Sequence, residues 1–281
     1  MSTIATSLTE KQFNEHVRPY VSVAQRGYES SIPLYKIFNY ILYRLHTGCQ
    51  WEMLPIEKNE AGEAEISWQA VYHHWRKWNG DGSLKRVWEG SIKRIRNAVD
   101  TSELNLDGSH VIAKKGGEGV AYQGRKKAKT TNILPITDKQ GFVLAVVAVR
   151  SGNHNDVYQI KPDLQAAFKH MKQLGLRLTQ AYFNADSAFD SRETRRVCWN
   201  YGLIPNIPEN KRNRKTPKRG RKRAFNASIY KNRFTSERSF AWIDKFRALL
   251  IRFEKRLAYF IGGHYLAFAM INLRHIIAGK V

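Results

Sequence analysis

Apolar residues recur at three- and four-residue spacing through the first hundred positions. Leu34, Ile37, Phe38, Ile41, Leu42 and Leu45 form one such stripe behind Pro33, which predicts a helix ended by Thr47-Gly48-Cys49. Trp51, Leu54 and Pro55 mark a turn, and Glu57, Glu60, Glu63 and Glu65 an acidic loop. Ser67 is placed to cap a second helix carrying Val71, Trp75 and Trp78, and Asp81-Gly82-Ser83 breaks it. Leu84, Val87, Trp88, Ile92 and Ile95 supply a third stripe. The period changes beyond residue 100. Leu104 to Val111 alternates like a strand, with Asp107 in its middle, and Thr131–Thr137 and Phe142–Val149 are also strand-like. Asp138-Lys139-Gln140-Gly141 between these two predicts a hairpin turn. A helix over 157–174 follows, then a strand from Leu178 to Phe183 running into Asn184-Ala185-Asp186, a helix from Ser191 to Tyr201 and a short strand from Leu203 to Ile207. The tail from Ala227 reads as two long helical stretches meeting at Gly262-Gly263.

Short helices separated by tight turns suit a helix-turn-helix type of DNA reader, and equally a small bundle that only packs or dimerises. Three antiparallel strands followed by helix–strand–helix–strand predict an α/β, ribonuclease-H-like domain. The expected organisation is therefore an all-helical N-terminal domain over residues 1–100, for DNA recognition or dimerisation, and a catalytic domain over 101–281.

Charge sharpens this division. The chain of 281 residues has 47 Lys and Arg against 24 Asp and Glu, a net charge of +23, which points to a polyanionic partner. Residues 1–100 hold 13 basic and 11 acidic side chains, a net of +2, whereas 101–281 hold 34 and 13, a net of +21. Lys114 to Lys129 contains six basic residues and one acid. Lys211 to Arg223 contains nine basic residues in thirteen and no acid. Such a run is either a solvated loop or a phosphate-binding one, and nucleic acid is the polyanion expected to neutralise it. Two cysteines, Cys49 and Cys198, exclude a disulfide scaffold and a four-thiolate zinc site. With no secretory pattern and no apolar run long enough to span a bilayer, the expectation is a soluble, intracellular protein.

Phosphodiester chemistry on DNA often uses two divalent ions held by a few carboxylates, so position must select among 24 acids. Asp107 lies in an apolar frame; a bulge or edge-strand aspartate is the alternative reading. Asp186 ends a strand, where ligands of open α/β sheets bind, or else caps the next segment. Glu237 falls on a helical face with Arg233, Phe240, Asp244, Arg247 and Ile251, opposite Trp242, Phe246, Leu249, Phe253 and Leu257. Its alternative reading is an ion pair with Arg233 four residues earlier. His73, His74, His110 and His154 show no metal-ligand spacing and read as packing or surface residues. Asp156 either supports the site or caps a helix.

Leu106-Asp107-Gly108-Ser109, Asn184-Ala185-Asp186-Ser187-Ala188-Phe189-Asp190 and Arg233-Phe234-Thr235-Ser236-Glu237 together resemble the three acidic motifs of DDE transposases, in the manner of the insertion-sequence-5 family within the insertion-sequence-4 type. Tyr230-x-x-Arg233-x-x-x-Glu237 matches most of a Tyr–Arg–Glu–Lys signature. Asp244 stands where the lysine belongs, and Lys245 follows it. Gly124 to Thr131, Gly152 to Asp156 and Thr47 to Pro55 also look like family landmarks. The resemblance implies a transposase that binds terminal inverted repeats, cleaves with two Mg²⁺ ions (Mn²⁺ substituting), and joins a 3′ hydroxyl to target DNA. It implies Asp107, Asp186 and Glu237 as catalytic, metal-binding acids, and Tyr230, Arg233 and Lys245 as DNA contacts. The basic segments add Arg125, Lys126 and Lys127, and Lys211, Arg212, Arg214, Lys215, Lys218, Arg219, Arg221, Lys222 and Arg223, as expected phosphate contacts. The expected partners are double-stranded DNA and a second copy of the chain in the synaptic complex. A metal-dependent nuclease without strand transfer, or a captured transposase retained as a DNA-binding regulator, are the alternatives.

Overall fold

Residues 4–23, 30–210 and 223–279 are described by the computed structural model. Their helices are α1 (Glu10–His16), α2 (Leu34–Thr47), α3 (Trp68–Gly80), α4 (Ser83–Arg94), α5 (Ile160–Gln173), α6 (Arg192–Asn200), α7 (Ala227–Lys231), α8 (Phe234–Ile243), α9 (Arg247–Leu250) and α10 (Leu257–Ile277). The strands are β1 (Glu103–Leu106), β2 (Ser109–Ala113), β3 (Ala121–Gln123), β4 (Ala128–Asp138), β5 (Val143–Ser151), β6 (Tyr182–Ala185), β7 (Ile204–Asn206) and β8 (Ile251–Arg252). The chain forms two compact units. The first gathers Met1–Ile95, Val111–Glu118 and Ala241–Val281, and the second Arg96–His110 and Gly119–Phe240. Residues 241–281 thus group with the N-terminal helices and not with the strand-rich unit.

In the first unit the expected helices form where the apolar stripes fall. α2 starts behind Pro33 and ends at Gly48, whose φ of 72° is the left-handed turn a residue without Cβ adopts freely. Ser67 Oγ accepts from the Ala70 N–H and caps α3 as anticipated. Phe38, Trp78 and Trp88 are fully buried, each contributing on the order of 2 kcal/mol of apolar burial. The tail departs from expectation. A turn at Asp244-Lys245 ends α8, so the long two-faced helix through Leu257 does not exist. Beyond it come α9 and β8, and β8 pairs in parallel with Ile112 and Ala113 of β2. α10 then runs unbroken through Gly262-Gly263. A Cβ at Gly262 would collide with Asn79 Oδ1, so this glycine serves close approach of α10 to α3, not a helix break.

The second unit is built on five strands in the order β5-β4-β1-β6-β7. The first two pairings are antiparallel and the last two parallel. This is the ribonuclease-H-like arrangement, with α5 leading from β5 to β6 and α6 from β6 to β7. β3, unforeseen from the pattern, forms a hairpin with β4. Pro135, which has no N–H to give the ladder, adjoins a register shift between β4 and β5. The turn expected at 138–141 is present, with Asp138 Oδ1 accepting from the N–H groups of Gln140 and Phe142. Among the described residues no helix is long and apolar enough to cross a membrane.

Candidate active site

β1 stops at Leu106, so Asp107 stands at its C-terminal end and not in mid-strand. Leu106 pairs with Ala185 across the parallel β1–β6 ladder, which sets the next residues, Asp107 and Asp186, side by side at the carboxyl edge of the sheet. Asp107 is half-buried. Its Oδ1 accepts from the Gly108 N–H at 2.9 Å, and its Oδ2 accepts from Arg233 Nη1 at 2.9 Å and from Ser236 Oγ at 3.5 Å. Burial pushes the Asp107 carboxyl up from its ordinary value, Arg233 pulls against that rise, and the neighbouring charge of Asp186 adds to it. Asp186 Oδ1 accepts from the Ala188 N–H at 2.9 Å and caps the short 3₁₀ turn Ser187–Phe189. The cap and the acidic pair are therefore compatible roles of one side chain.

Two adjacent carboxylates on a partly buried edge call for a cation, and the Arg233 guanidinium supplies one here. Arg233 also lies over the Tyr230 ring, 5.7 Å from its centroid. Arg233 is held in place by its neighbour, because Asn232 Nδ2 donates to both oxygens of the buried Glu103 at 3.1 Å. α8 is anchored in turn by Ser239 Oγ and Arg238 Nη2, which donate to the Gly141 and Gln140 carbonyls. The ion pair of Arg233, which lies in the turn just before α8, is thus with Asp107, 126 residues away in sequence, and not with Glu237 four residues on.

Glu237 is exposed on α8, one turn beyond Arg233. Among the described residues, no three His, Cys, Asp or Glu side chains are grouped so as to hold a metal ion. The Asp107–Asp186 pair nevertheless fits a hard divalent cation in its donor chemistry, since such ions accept one or two carboxylates and complete their shell with water and phosphate.

Several contributors were not foreseen. Asn105, Asn184 and Asn206 lie in register on β1, β6 and β7 and form a buried side-chain ladder, Asn184 Nδ2 to Asn105 Oδ1 at 3.0 Å and Asn206 Nδ2 to Asn184 Oδ1 at 2.8 Å. The ladder continues to the backbone of Asn226, whose side chain caps α7, the helix bearing Tyr230. The repeated Asn-x-Asp of 105–107 and 184–186 was its visible signal. Asp190 is the second. Its fully buried carboxylate pairs with Arg195 at 2.9 Å and with Arg223, and accepts from the Asn210 N–H at 3.0 Å. It thereby joins the described residues on either side of 211–222.

Arg125, Lys126 and Lys127 occupy the exposed β3–β4 turn, and the charges of Arg125 and Lys126 add to the burial that lowers the His110 pKa. Lys211, Arg212, Arg214, Lys215, Lys218, Arg219, Arg221 and Lys222 lie outside the described residues. Arg223 is engaged by Asp190. Lys245 is exposed on the turn after α8, in the first unit, and shares no helix with Glu237. Asp156 accepts from Asn132 Nδ2 at 2.9 Å instead of capping α5, where Gln159 holds the N-cap position. His110 bonds Thr130 Oγ1 and His154 stacks on Tyr158, as packing residues do.

Comparison with known proteins places these features in a family. Residues 8–88 match the family described as "Putative transposase of IS4/5 family". A curated relative, "Putative transposase for insertion sequence element IS402" of Burkholderia cepacia, is 30% identical over 123 residues, 43% of this chain. The match spans about half of that relative, 52% of its length. The solved structure "Mos1 transposase paired-end complex with left transposon end" aligns with 96% of this chain and 86% of its own at 14% identity, with a TM-score of 0.29, too low to carry an argument. Residues 99–272 match the family described as "DDE superfamily endonuclease". That match takes in most of the chain and the whole acidic edge, and the protein belongs to the DDE endonuclease superfamily.

Proposed function

We propose that this protein is an insertion-sequence transposase that binds the terminal inverted repeats of its element, cleaves them and joins the released 3′ hydroxyl to target DNA. The observation that carries the reading is the Asp107–Asp186 pair at the carboxyl edge of a ribonuclease-H-like sheet, with Arg233 paired to Asp107. Membership of the DDE superfamily implies dependence on a divalent metal; Mg²⁺ is the proposed ion, with Mn²⁺ as substitute and two ions per site. When bound, these ions supply activation of the attacking oxygen and stabilisation of the leaving one. Asp107 and Asp186 would hold them, and Glu237 on α8, one turn beyond Arg233, would be the third ligand. Arg233, paired with Asp107 and stacked over the Tyr230 ring, would offer its planar fork to the DNA phosphate. The exposed Arg125, Lys126 and Lys127 and the basic run over 211–223 grip flanking phosphates without reading sequence. The protein acts as a homodimer on two ends, in the cytoplasm.

The test is a joining assay. A labelled duplex containing the element end is incubated with supercoiled target plasmid and Mg²⁺. Label covalently attached to plasmid supports transposition, cleaved duplex without joined product would reduce the protein to a nuclease, and binding without either would make it a regulator.

A further inference from the structure

The first unit contains an open cavity of about 450 Å³, and its lining combines aromatic faces with positive charge. That volume is within the ~300–1,000 Å³ of ordinary small-ligand sites. One wall is aromatic. Trp51 packs obliquely against Tyr72, with ring centroids 5.1 Å apart, and Tyr259 also lines the space. Trp51 belongs to the segment Thr47–Pro55 of the first unit. Arg76, Lys115, Lys255 and Arg256 bring positive charge to the rim beside Phe253, with Arg44 held against Glu254 at 3.0 Å. Arg44 lies over the Trp51 ring at 4.9 Å, and its Nε is buried without a hydrogen-bond partner. The unit that holds this cavity is itself basic. With residues 241–281 included it has 21 Lys and Arg against 13 Asp and Glu, a net of +8, not the +2 of residues 1–100.

From these features we infer that the cavity binds one unpaired nucleotide of a DNA strand, the base against Trp51 and Tyr72 and its phosphates on Arg76, Lys115, Lys255 and Arg256. An acidic peptide would satisfy the cations and leave the aromatic wall unused, and an apolar segment would do the reverse. A nucleotide uses both, since every base has a stacking face and every linkage a charge. A base inside an intact duplex is already stacked on both sides, so only an unpaired one can enter. The inference rests on the reading of the protein as one that acts on DNA, but on a site separate from its acidic edge.

The experiment uses the full chain and fluorescence anisotropy with three probes: a duplex with one bulged thymidine, the same duplex with a bulged abasic residue, and the perfect duplex. The thymidine bulge should bind ~10-fold more tightly than either control, a preference of the size one stacked base supplies. Tyr72→Leu should abolish that preference. Arg76→Gln, a change at an exposed position, should weaken the thymidine bulge several-fold more than the perfect duplex. Equal affinity for the thymidine and abasic bulges overturns the inference, as does retention of the full preference in both variants. If the perfect duplex is bound and cleaved with no bulge preference, the nucleotide site falls while the transposase reading stands; if no probe is bound at all, both fall.

Discussion

Replacing Asp190 with asparagine should unfold the second unit more readily than any exposed charge change. The carboxylate is fully buried and holds Arg195, whose own side chain is 3% exposed, at 2.9 Å. It also pairs with the partly exposed Arg223 and accepts the Asn210 N–H. Burial alone would raise the Asp190 pKa; the Asn210 bond and the two arginines outweigh it and hold the carboxyl below its ordinary value. Asparagine preserves the volume and can still accept from Asn210. It leaves Arg195 a buried cation without a counter-ion, for which removal of one partner costs about 3–5 kcal/mol. The bond from Arg195 Nη2 to the Ile207 carbonyl survives, so the lower end of that range, about 3 kcal/mol, is expected. Arg223→Gln removes only the partly exposed partner and should cost about 1 kcal/mol or less. The assay is urea unfolding followed by far-ultraviolet circular dichroism, comparing midpoints at constant slope. The sign of the pKa shift adds a control: the wild-type contribution is complete above the ordinary aspartate pKa and is lost as pH falls through the folded value. An Asp190→Asn midpoint indistinguishable from that of Arg223→Gln would refute the reasoning, because the buried Asp190–Arg195 pair would then contribute nothing.

Arg233→Lys should reduce cleavage or strand transfer ~10-fold or more, since an ammonium keeps the charge opposite Asp107 but cannot reproduce a two-pronged phosphate contact. Full rescue of that variant by raised Mg²⁺ would assign the arginine to the metal site alone. In the first unit, burial pushes the His74 and His264 pKa values down to about 4. Both are therefore neutral in the folded state, and their stability is complete above the ordinary histidine pKa and lost as pH falls from ~6.5 toward 4; at pH 5 each such group costs about 2 kcal/mol. His264→Leu should flatten the fall in thermal midpoint between pH 7 and pH 5, and an unchanged slope would show that the ring is not held neutral.

What the sequence reveals and what it hides follows from range. The stripes of α2, α3 and α4 and the turn at 138–141 are set by neighbours within a few residues, and all were legible. The side-by-side placement of Asp107 and Asp186 is not local in this way: the sequence puts one inside an apolar strand and the other at the end of a second, and only the parallel β1–β6 pairing brings them together. The tail was misread for two physical reasons. Apolar periodicity continues across Asp244-Lys245, where the backbone turns, and Gly262-Gly263 resembles a break until the approach of Asn79 is known. The pairing of Arg233 with Asp107 was not legible, because i,i+4 spacing offers only Glu237 as an ionic alternative, whereas the sheet delivers Asp107 from far along the chain. Asp190 and the asparagine ladder are visible only once β1, β6 and β7 lie side by side. The net charge of the first unit was likewise hidden, since it depends on residues 241–281 returning to the N-terminal helices.

Asp107, Asp186 and Glu237 are proposed to act together in metal-dependent cleavage. That joint role is tested most directly by making Asp107→Asn, Asp186→Asn and Glu237→Gln separately, then measuring Mg²⁺-dependent cleavage of an end-bearing duplex alongside binding of the same duplex. Each change removes one negative ligand at nearly constant volume, so each variant should bind DNA within a few-fold of wild type and lose cleavage by ~10³-fold or more, the scale on which loss of transition-state charge stabilisation is felt. Near-normal cleavage by any one of the three would remove that residue from the site, and near-normal cleavage by Asp107→Asn would contradict the account as a whole.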